Sequence, residues 1–257
     1  MSILSLHKKE VGIERRSTGI PGLDELVNGG LPNHSGIILR GPSGCGKSLF
    51  CKQFIWNGLR NGEFGLYITF DQSPNEIRES MAAFRWDTAP YEEKGMFIII
   101  DCFNGALGLR TDEKYYVKNP MDVNEQMYVI DRCVNHVIKT FGLNIKVRVA
   151  YDSAPLATMG DLATFFRIAR RLLSYTKTHN VIGLSPIDKG AQSVIMENAI
   201  LRVVDGIIEL DKRIEDGKIN YYLWVDKMTM TSHSRDVHPY VILDDGIHVI
   251  KPKAHGQ

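Results

Sequence analysis

At 257 residues, 44% hydrophobic and 24% charged, the chain is long enough for one large α/β domain with a sizeable core and short for two. Its 31 basic and 30 acidic residues leave a formal charge of +1, and the pairs Lys8-Lys9, Arg15-Arg16 and Arg170-Arg171 lie far apart, so neither nucleic acid nor membrane is advertised as the main partner. Cys45, Cys51, Cys102 and Cys133 form no C-x-x-C pair, which argues against a zinc site or a disulfide framework, and the apolar start MSILSL is too short for a signal core; a cytoplasmic protein is expected.

Short apolar runs alternate with longer amphipathic stretches, the pattern of βα units feeding a mostly parallel sheet. GIILRG (36–41) reads as a first strand and KSLFCKQFIWNGLR as a helix with Phe50, Phe54 and Gly58 on one face. Strand 65–70 precedes helix 74–84, where Pro74 suits the first turn. Residues 96–101 form a third strand, and 102–120 reads as a long loop. The helix after it carries the stripe Met127, Ile130, Val134, Val137 and Phe141 and ends at Gly142. Strand 146–152 closes on Asp152, with Arg148 marking a face that is not fully apolar; a helix over 161–179 and a strand over 180–185 follow. Beyond Val203 the period changes. DGIIEL and INYYLWVDKM flank DKRIEDGK, whose Asp216-Gly217 predicts a hairpin, and YVILDDGIHVI predicts a last one. The expected fold is therefore α/β, a mostly parallel sheet with helices on both faces and a C-terminal antiparallel extension.

Gly41, Pro42, Ser43, Gly44, Cys45, Gly46, Lys47 and Ser48 spell G-x-x-x-x-G-K-S between a strand and a helix, the arrangement in which backbone N–H groups and a helix N-terminus wrap phosphates. Lys47 would reach the β- and γ-phosphates, Ser48 would ligate Mg²⁺, and Leu49 follows in the same turn. Asp152, at the end of another strand, supplies the carboxylate magnesium requires. ATP and Mg²⁺ are the expected ligands. Cys45 sits beside a helix N-terminus and Lys47, a setting that lowers a thiol pKa, although a small residue at a free position explains it as well.

STGIPGLDELVNGGLP (17–32), ahead of the cradle, resembles the KaiC-like branch of RecA-type ATPases. The likeness continues through LFCKQFIWNGL, YITFDQSPNEIRESMAAFRWD, PYEEKGMF, YDS and KMTMTSHSRDVHPYVILDDGI, and so covers most of the chain. It is greatest to the single-domain archaeal proteins, and it divides the chain into an N-terminal arm (1–16) and one RecA-like P-loop domain (17–257). The resemblance implies a homo-oligomer, a hexameric ring being one form, or a mixed ring with a paralogue.

Two departures from the family pattern bear on activity. The family carries two adjacent glutamates that activate the attacking water where this chain has Asp71 and Gln72. Aspartate is one methylene shorter, and glutamine can orient water but cannot take its proton. The family's Lys-x-Arg-Gly-Thr-Ser-His, which serves the γ-phosphate of a neighbouring subunit, is here Lys227-Met228-Thr229-Met230-Thr231-Ser232-His233. Lys227, Thr231, Ser232 and His233 match; Thr229 replaces the arginine, Met230 replaces the glycine, and the spacing of Arg235 is wrong for a substitute. The expectation is an Mg-ATP-binding protein with weak or absent hydrolysis and a regulatory or assembly role. An active ATPase serving as a recombinase-type DNA accessory factor stays open, the loop 102–120 with Lys114, Tyr115, Tyr116 and Lys118 being its candidate surface. Phe84 and Trp86 match a family Phe-Gly-Trp segment and are expected to pack the helix end, with Arg85 in the glycine's place.

Overall fold

In the computed structural model, which describes residues 12–152 and 162–250, the apolar runs of the sequence line up as one ten-stranded sheet among the described residues. The phosphate-loop unit is β3 (Gly36–Gly41) followed by α2 (Lys47–Arg60). It is preceded by a small antiparallel pair, β1 (Arg15–Arg16) and β2 (Leu31–Pro32), with the single turn α1 (Leu23–Leu26) between them. Then come β4 (Phe64–Thr69), α3 (Pro74–Ala83), α4 (Ala89–Glu93), β5 (Phe97–Asp101), α5 (Phe103–Ala106), β6 (Tyr115–Tyr116), α6 (Val123–Phe141) and β7 (Val147–Asp152). The chain continues with α7 (Leu162–Thr178), β8 (Val181–Asp188), α8 (Val194–Val203), β9 (Gly206–Glu215), β10 (Lys218–Met228), β11 (His238–Leu243) and β12 (Gly246–Val249). The strand order is β12-β11-β10-β9-β3-β8-β7-β4-β5-β6. From β6 to β9 neighbouring strands run parallel, and from β9 to β12 they run antiparallel.

Both faces of the parallel part are covered, so its strands read as continuous apolar runs rather than as alternation. Successive residues of β3 go to opposite sides: Ile37 and Leu39 join Phe50, Phe54 and Leu59 of α2, while Ile38 joins Ile130 and Val137 of α6 and Ile200 of α8. Helix starts follow local chemistry. Ser73 and Glu76 cap α3 reciprocally with Pro74 at its first position, Asp122 accepts from the N–H groups of Asn124 and Glu125 at the start of α6, and Gly142 ends α6 at φ 86°.

Several expectations need correction. The stretch 102–120 is not one loop: Asp101 accepts from the backbone N–H and side-chain amide of Asn104 at 2.9 and 2.6 Å, which shapes α5, and β6 then pairs with β5. β8 runs on to Asp188 rather than stopping at Ser185, and α8 has no counterpart in the sequence reading. β9 and β10 extend through the supposed loop 211–218 to a two-residue turn at Asp216-Gly217, whose φ values of 52° and 73° suit such a hairpin. Phe84 and Trp86 do pack, with ring centroids 5.1 Å apart and Trp86 buried. The arm 1–16 lies outside the described residues up to position 11.

The arginine inside β7 has a definite task. Arg148 is fully buried and grips Glu63 through two contacts of 2.7 and 3.1 Å, while Arg16 donates to the same carboxylate at 3.1 Å. Arg148 also donates to the carbonyl of Phe54 at 3.0 Å and lies over that ring. Gly58 is required beneath it, since a Cβ there would lie 2.4 Å from the Arg148 side chain. This cluster ties β1, α2 and the amino ends of β4 and β7 together.

Candidate nucleotide-binding site

Gly41 ends β3, Pro42 to Gly46 form the turn, and Lys47, Ser48 and Leu49 open α2. The turn depends on left-handed backbone at Gly44 (φ 77°) and Gly46 (φ 88°), which turns successive N–H groups toward one point ahead of the helix. The buried Lys47 ammonium donates to the carbonyls of Gly41 and Pro42 at 3.0 and 2.7 Å and pairs with the Asp188 carboxylate at 2.7 Å. Asp188 ends β8 directly opposite Gly41, so neighbouring strands deliver lysine and carboxylate together.

Beside this cradle, Ser48 donates from Oγ to Asp152 Oδ1 at 3.2 Å, and the buried Tyr67 hydroxyl donates to Asp152 Oδ2. Burial pushes the Asp152 carboxyl above the ordinary aspartate value, against the pull of the Tyr67 and Ser48 hydrogen bonds and the Lys52 charge. A hydroxyl and a carboxylate alone do not make a closed metal cage, and no cluster of three or more His, Cys, Asp or Glu able to hold a metal occurs among the described residues. This donor set suits Mg²⁺, which takes few protein ligands and fills its shell from phosphate oxygens and water. The glycine turn, Lys47 and the Ser48–Asp152 pair thus fit a magnesium-bound triphosphate.

Asp71 and Gln72 follow β4, whose Thr69 lies opposite Asp152 in the sheet, so both sit next to the metal corner. Thr69 Oγ1 donates to the Gln72 carbonyl at 2.6 Å, and the Gln72 side chain is held by Lys52 at 2.9 Å. Cys45 is fully buried, and that burial raises its thiol pKa despite the nearby Lys47, so the reactive-thiol reading is overturned. The Tyr240 hydroxyl donates to the Cys45 carbonyl, anchoring the turn to β11.

The C-terminal candidates lie elsewhere. Lys227 stands opposite Ile207, which pairs with Ile38 near the start of β3, whereas the phosphate loop leaves β3 at its far end. Its ammonium donates to the carbonyls of Leu201, Arg202 and Val204 at 3.3, 3.4 and 2.7 Å and so closes the end of α8. Ser232 is exposed, His233 Nδ1 lies 2.9 Å from the carbonyl of Ser234, and the Ser234 N–H donates to the Leu26 carbonyl. These three residues are not brought to the chain's own cradle. His238 begins β11.

A family model described as the KaiC ATPase matches residues 16–254. The chain belongs to the KaiC ATPase family. It is 36% identical over 242 residues to the UPF0273 protein of Methanopyrus kandleri, covering 93% of each chain. It is 36% identical over 247 residues to the UPF0273 protein of Thermotoga maritima, covering 95% of this chain and 99% of that one. The crystal structure of a KaiC-like protein from Pyrococcus horikoshii superposes with a TM-score of 0.75 at 26% identity over 93% of this chain and 100% of that chain. KaiC family membership and the RecA-like fold support nucleotide binding at the cradle. No helix among the described residues of this KaiC-family chain is long and apolar enough to cross a membrane.

Sequence reasoning missed three residues of the corner. Asp188 was hidden because β8 was read as ending early, Lys52 because it lies among the core residues of α2, and Tyr67 because an aromatic inside a strand reads as core. A strand that ends in aspartate one step along the sheet was the available signal for Asp188.

Proposed function

We propose that the chain binds Mg-ATP between Gly41–Ser48 and Asp152 and hydrolyses it slowly or not at all, the bound nucleotide serving a regulatory or assembly role. One observation carries this reading: the groups that bind are complete and mutually positioned, while the groups that would accelerate hydrolysis are altered. Lys47, Ser48 and Asp152 stand together at the ends of adjacent elements. Bound magnesium, held by Ser48 and Asp152, would neutralise phosphate charge. Lys47 would exchange Asp188 and two loop carbonyls for phosphate oxygens, and the N–H groups of the turn would orient the chain of phosphates.

Against that, Asp71 offers a carboxylate one methylene short, and a misplacement of about 1 Å can cost roughly 100-fold in rate. Gln72 has no carboxylate at all. Thr229 stands where the family offers an arginine to its neighbour, a group worth roughly 10³ to 10⁵ in turnover. In a cytoplasmic homo-oligomer or a mixed ring, Lys227, Ser232 and His233 would serve the cradle of an adjacent copy.

The test is phosphate release from Mg-ATP measured beside molecular mass by light scattering, with Lys47→Ala as the blank. Retained ATP or ATP-dependent assembly with release near the blank is the expected result. The triple variant Asp71→Glu, Gln72→Glu, Thr229→Arg should release phosphate faster. Wild-type release well above the blank, or no gain in the triple variant, would overturn the reading.

A further inference from the structure

Lys52 is a lysine in the wrong place for a lysine. It lies one helical turn after Ser48 on α2, is only 3% exposed, and has its pKa lowered by burial while the Asp152 carboxylate pulls the other way. A buried ammonium requires partners, and it finds two neutral ones, Gln72 Oε1 and Ser80 Oγ, each at 2.9 Å. Neither relieves its charge by pairing, so its position is not explained by an ion pair of the kind that surrounds Glu63.

The contact fixes something else. An ammonium has three donors and no acceptor, so the Gln72 atom that meets Lys52 must be the oxygen, and the orientation of the amide follows from chemistry alone. The remaining polar end of Gln72 is then its NH₂ group. The backbone of the same residue is tied down from the other side by Thr69 Oγ1, and Thr69 is the β4 residue opposite Asp152. The amide therefore sits at the carboxyl ends of β4 and β7, beside the Ser48–Asp152 corner, and its NH₂ group is the end not taken by Lys52.

We propose that Lys52 is a positioning residue that turns the Gln72 amide so its NH₂ group donates to the γ-phosphate, making Gln72 a sensor that favours ATP over ADP. The inference deepens the Mg-ATP reading and rests on it. In this orientation Gln72 does not offer its oxygen to an attacking water, which agrees with slow hydrolysis. What the position supplies instead is a contact that exists only while the third phosphate is present. The nucleotide state is thereby tied through Gln72, Lys52 and Ser80 to α2 and α3.

The test is equilibrium binding of Mg-ADP and of a magnesium-bound, non-hydrolysable ATP analogue to wild type, Gln72→Ala, Gln72→Glu and Lys52→Met. Wild type should prefer the triphosphate. Gln72→Ala and Lys52→Met should each lower the triphosphate-to-diphosphate affinity ratio by about tenfold with ADP affinity nearly unchanged, the value of one hydrogen bond to a charged group. Gln72→Glu, which replaces a donor by an anion, should lower it further. A ratio within twofold of wild type in Gln72→Ala, or equal losses for both nucleotides, would overturn the proposal. If Lys52→Met fails to fold, Gln72→Ala still decides it, because its side chain is only half-buried. Because the analogue is not hydrolysed, the ratio is independent of turnover. Fast phosphate release by wild type would defeat the slow-hydrolysis reading while leaving this ratio to be judged by itself.

Discussion

At the amino ends of β4 and β7, Glu63 is clasped by Arg148 and Arg16, and at the same end of the sheet, beyond β8, β3 and β9, Lys227 is spent on the last carbonyls of α8. At the carboxyl ends of the same sheet, Lys47 leans on two loop carbonyls and a half-exposed Asp188, while Asp152 holds only hydroxyl donors. The first end closes its charges within the chain. The second gives its cation a half-exposed counter-ion and its carboxylate only hydroxyl partners, so each can exchange them for a ligand. Charge that is buried and fully paired maintains the fold, and charge that is buried and under-paired marks the site.

The largest effect expected from this contrast is at the amino end. Glu63→Gln would leave two buried guanidinium groups facing each other without an anion, and removing one partner of such a buried cluster costs about 3–5 kcal/mol. Urea denaturation should show that loss, while the molecules that remain folded bind Mg-ATP as wild type does. A change below about 1 kcal/mol, or a loss of affinity larger than the loss of stability, would mean that the two ends are not separate in function.

At the carboxyl end the sign is reversed. Asp152 has its pKa raised in the folded protein by burial, so between the ordinary aspartate value and the raised one the native state holds more protons than the unfolded state. Stability therefore falls as pH rises through that window and stays reduced at neutral pH. Its partners Tyr67 and Ser48 are hydroxyls, which can accept as well as donate, so an amide can replace the carboxylate without orphaning either. Nucleotide-free Asp152→Asn should melt above wild type at pH 7, by about 2–4 °C per kcal/mol recovered, with the gain shrinking toward acid pH. It should also lose the magnesium dependence of ATP binding. A lower melting point at pH 7 would show that Asp152 stabilises the fold rather than being held at its expense.

What could be seen in the sequence was what is local. The phosphate loop is eight consecutive residues whose glycines answer to their own backbone angles, and Asp152 announces itself as the end of an apolar run. Asp188 could not be placed in the same way, because Pro186 reads as a strand breaker. In the sheet, Pro186 pairs with Leu39 of β3 beyond the last β7 pair, Ala150 with Leu184, where the other side of β8 has no strand partner among the described residues and a missing N–H costs little. Lys52 lies on the same side of α2 as the buried Ile55 and Leu59, so helical period gives it no role, and only Ser80 of α3 and Gln72 closing over it do. α8 escaped because VIMENAILRV is apolar on several sides and shows no stripe, while its start depends on a single Ser193 cap. Lys52 and Asp188 required contacts between residues distant in sequence.

The smallest effect concerns two residues that hold left-handed backbone where the family resemblance has glycine. Arg85, after α3, and Met230, after β10, have φ of 63° and 55° and are both exposed. A side chain in the left-handed region costs about 1–2 kcal/mol relative to the right-handed one, and glycine returns part of that gain as unfolded-state entropy. Arg85→Gly should therefore stabilise the chain by about 0.5–1 kcal/mol without touching nucleotide binding, since among the described residues Arg85 donates only its backbone N–H, to the carbonyl of Ala82. Met230→Gly should give a similar gain in denaturation, but its carbonyl accepts from Arg15 and its side chain is 62% exposed beside Thr231 and Ser232. If the methionine serves contact with another copy, the same variant should be more stable as a folded chain and assemble less with ATP. Equal assembly in Met230→Gly and Arg85→Gly would assign both residues to the chain's own surface and take the amino end of β9 and the carboxyl end of β10 out of any subunit contact.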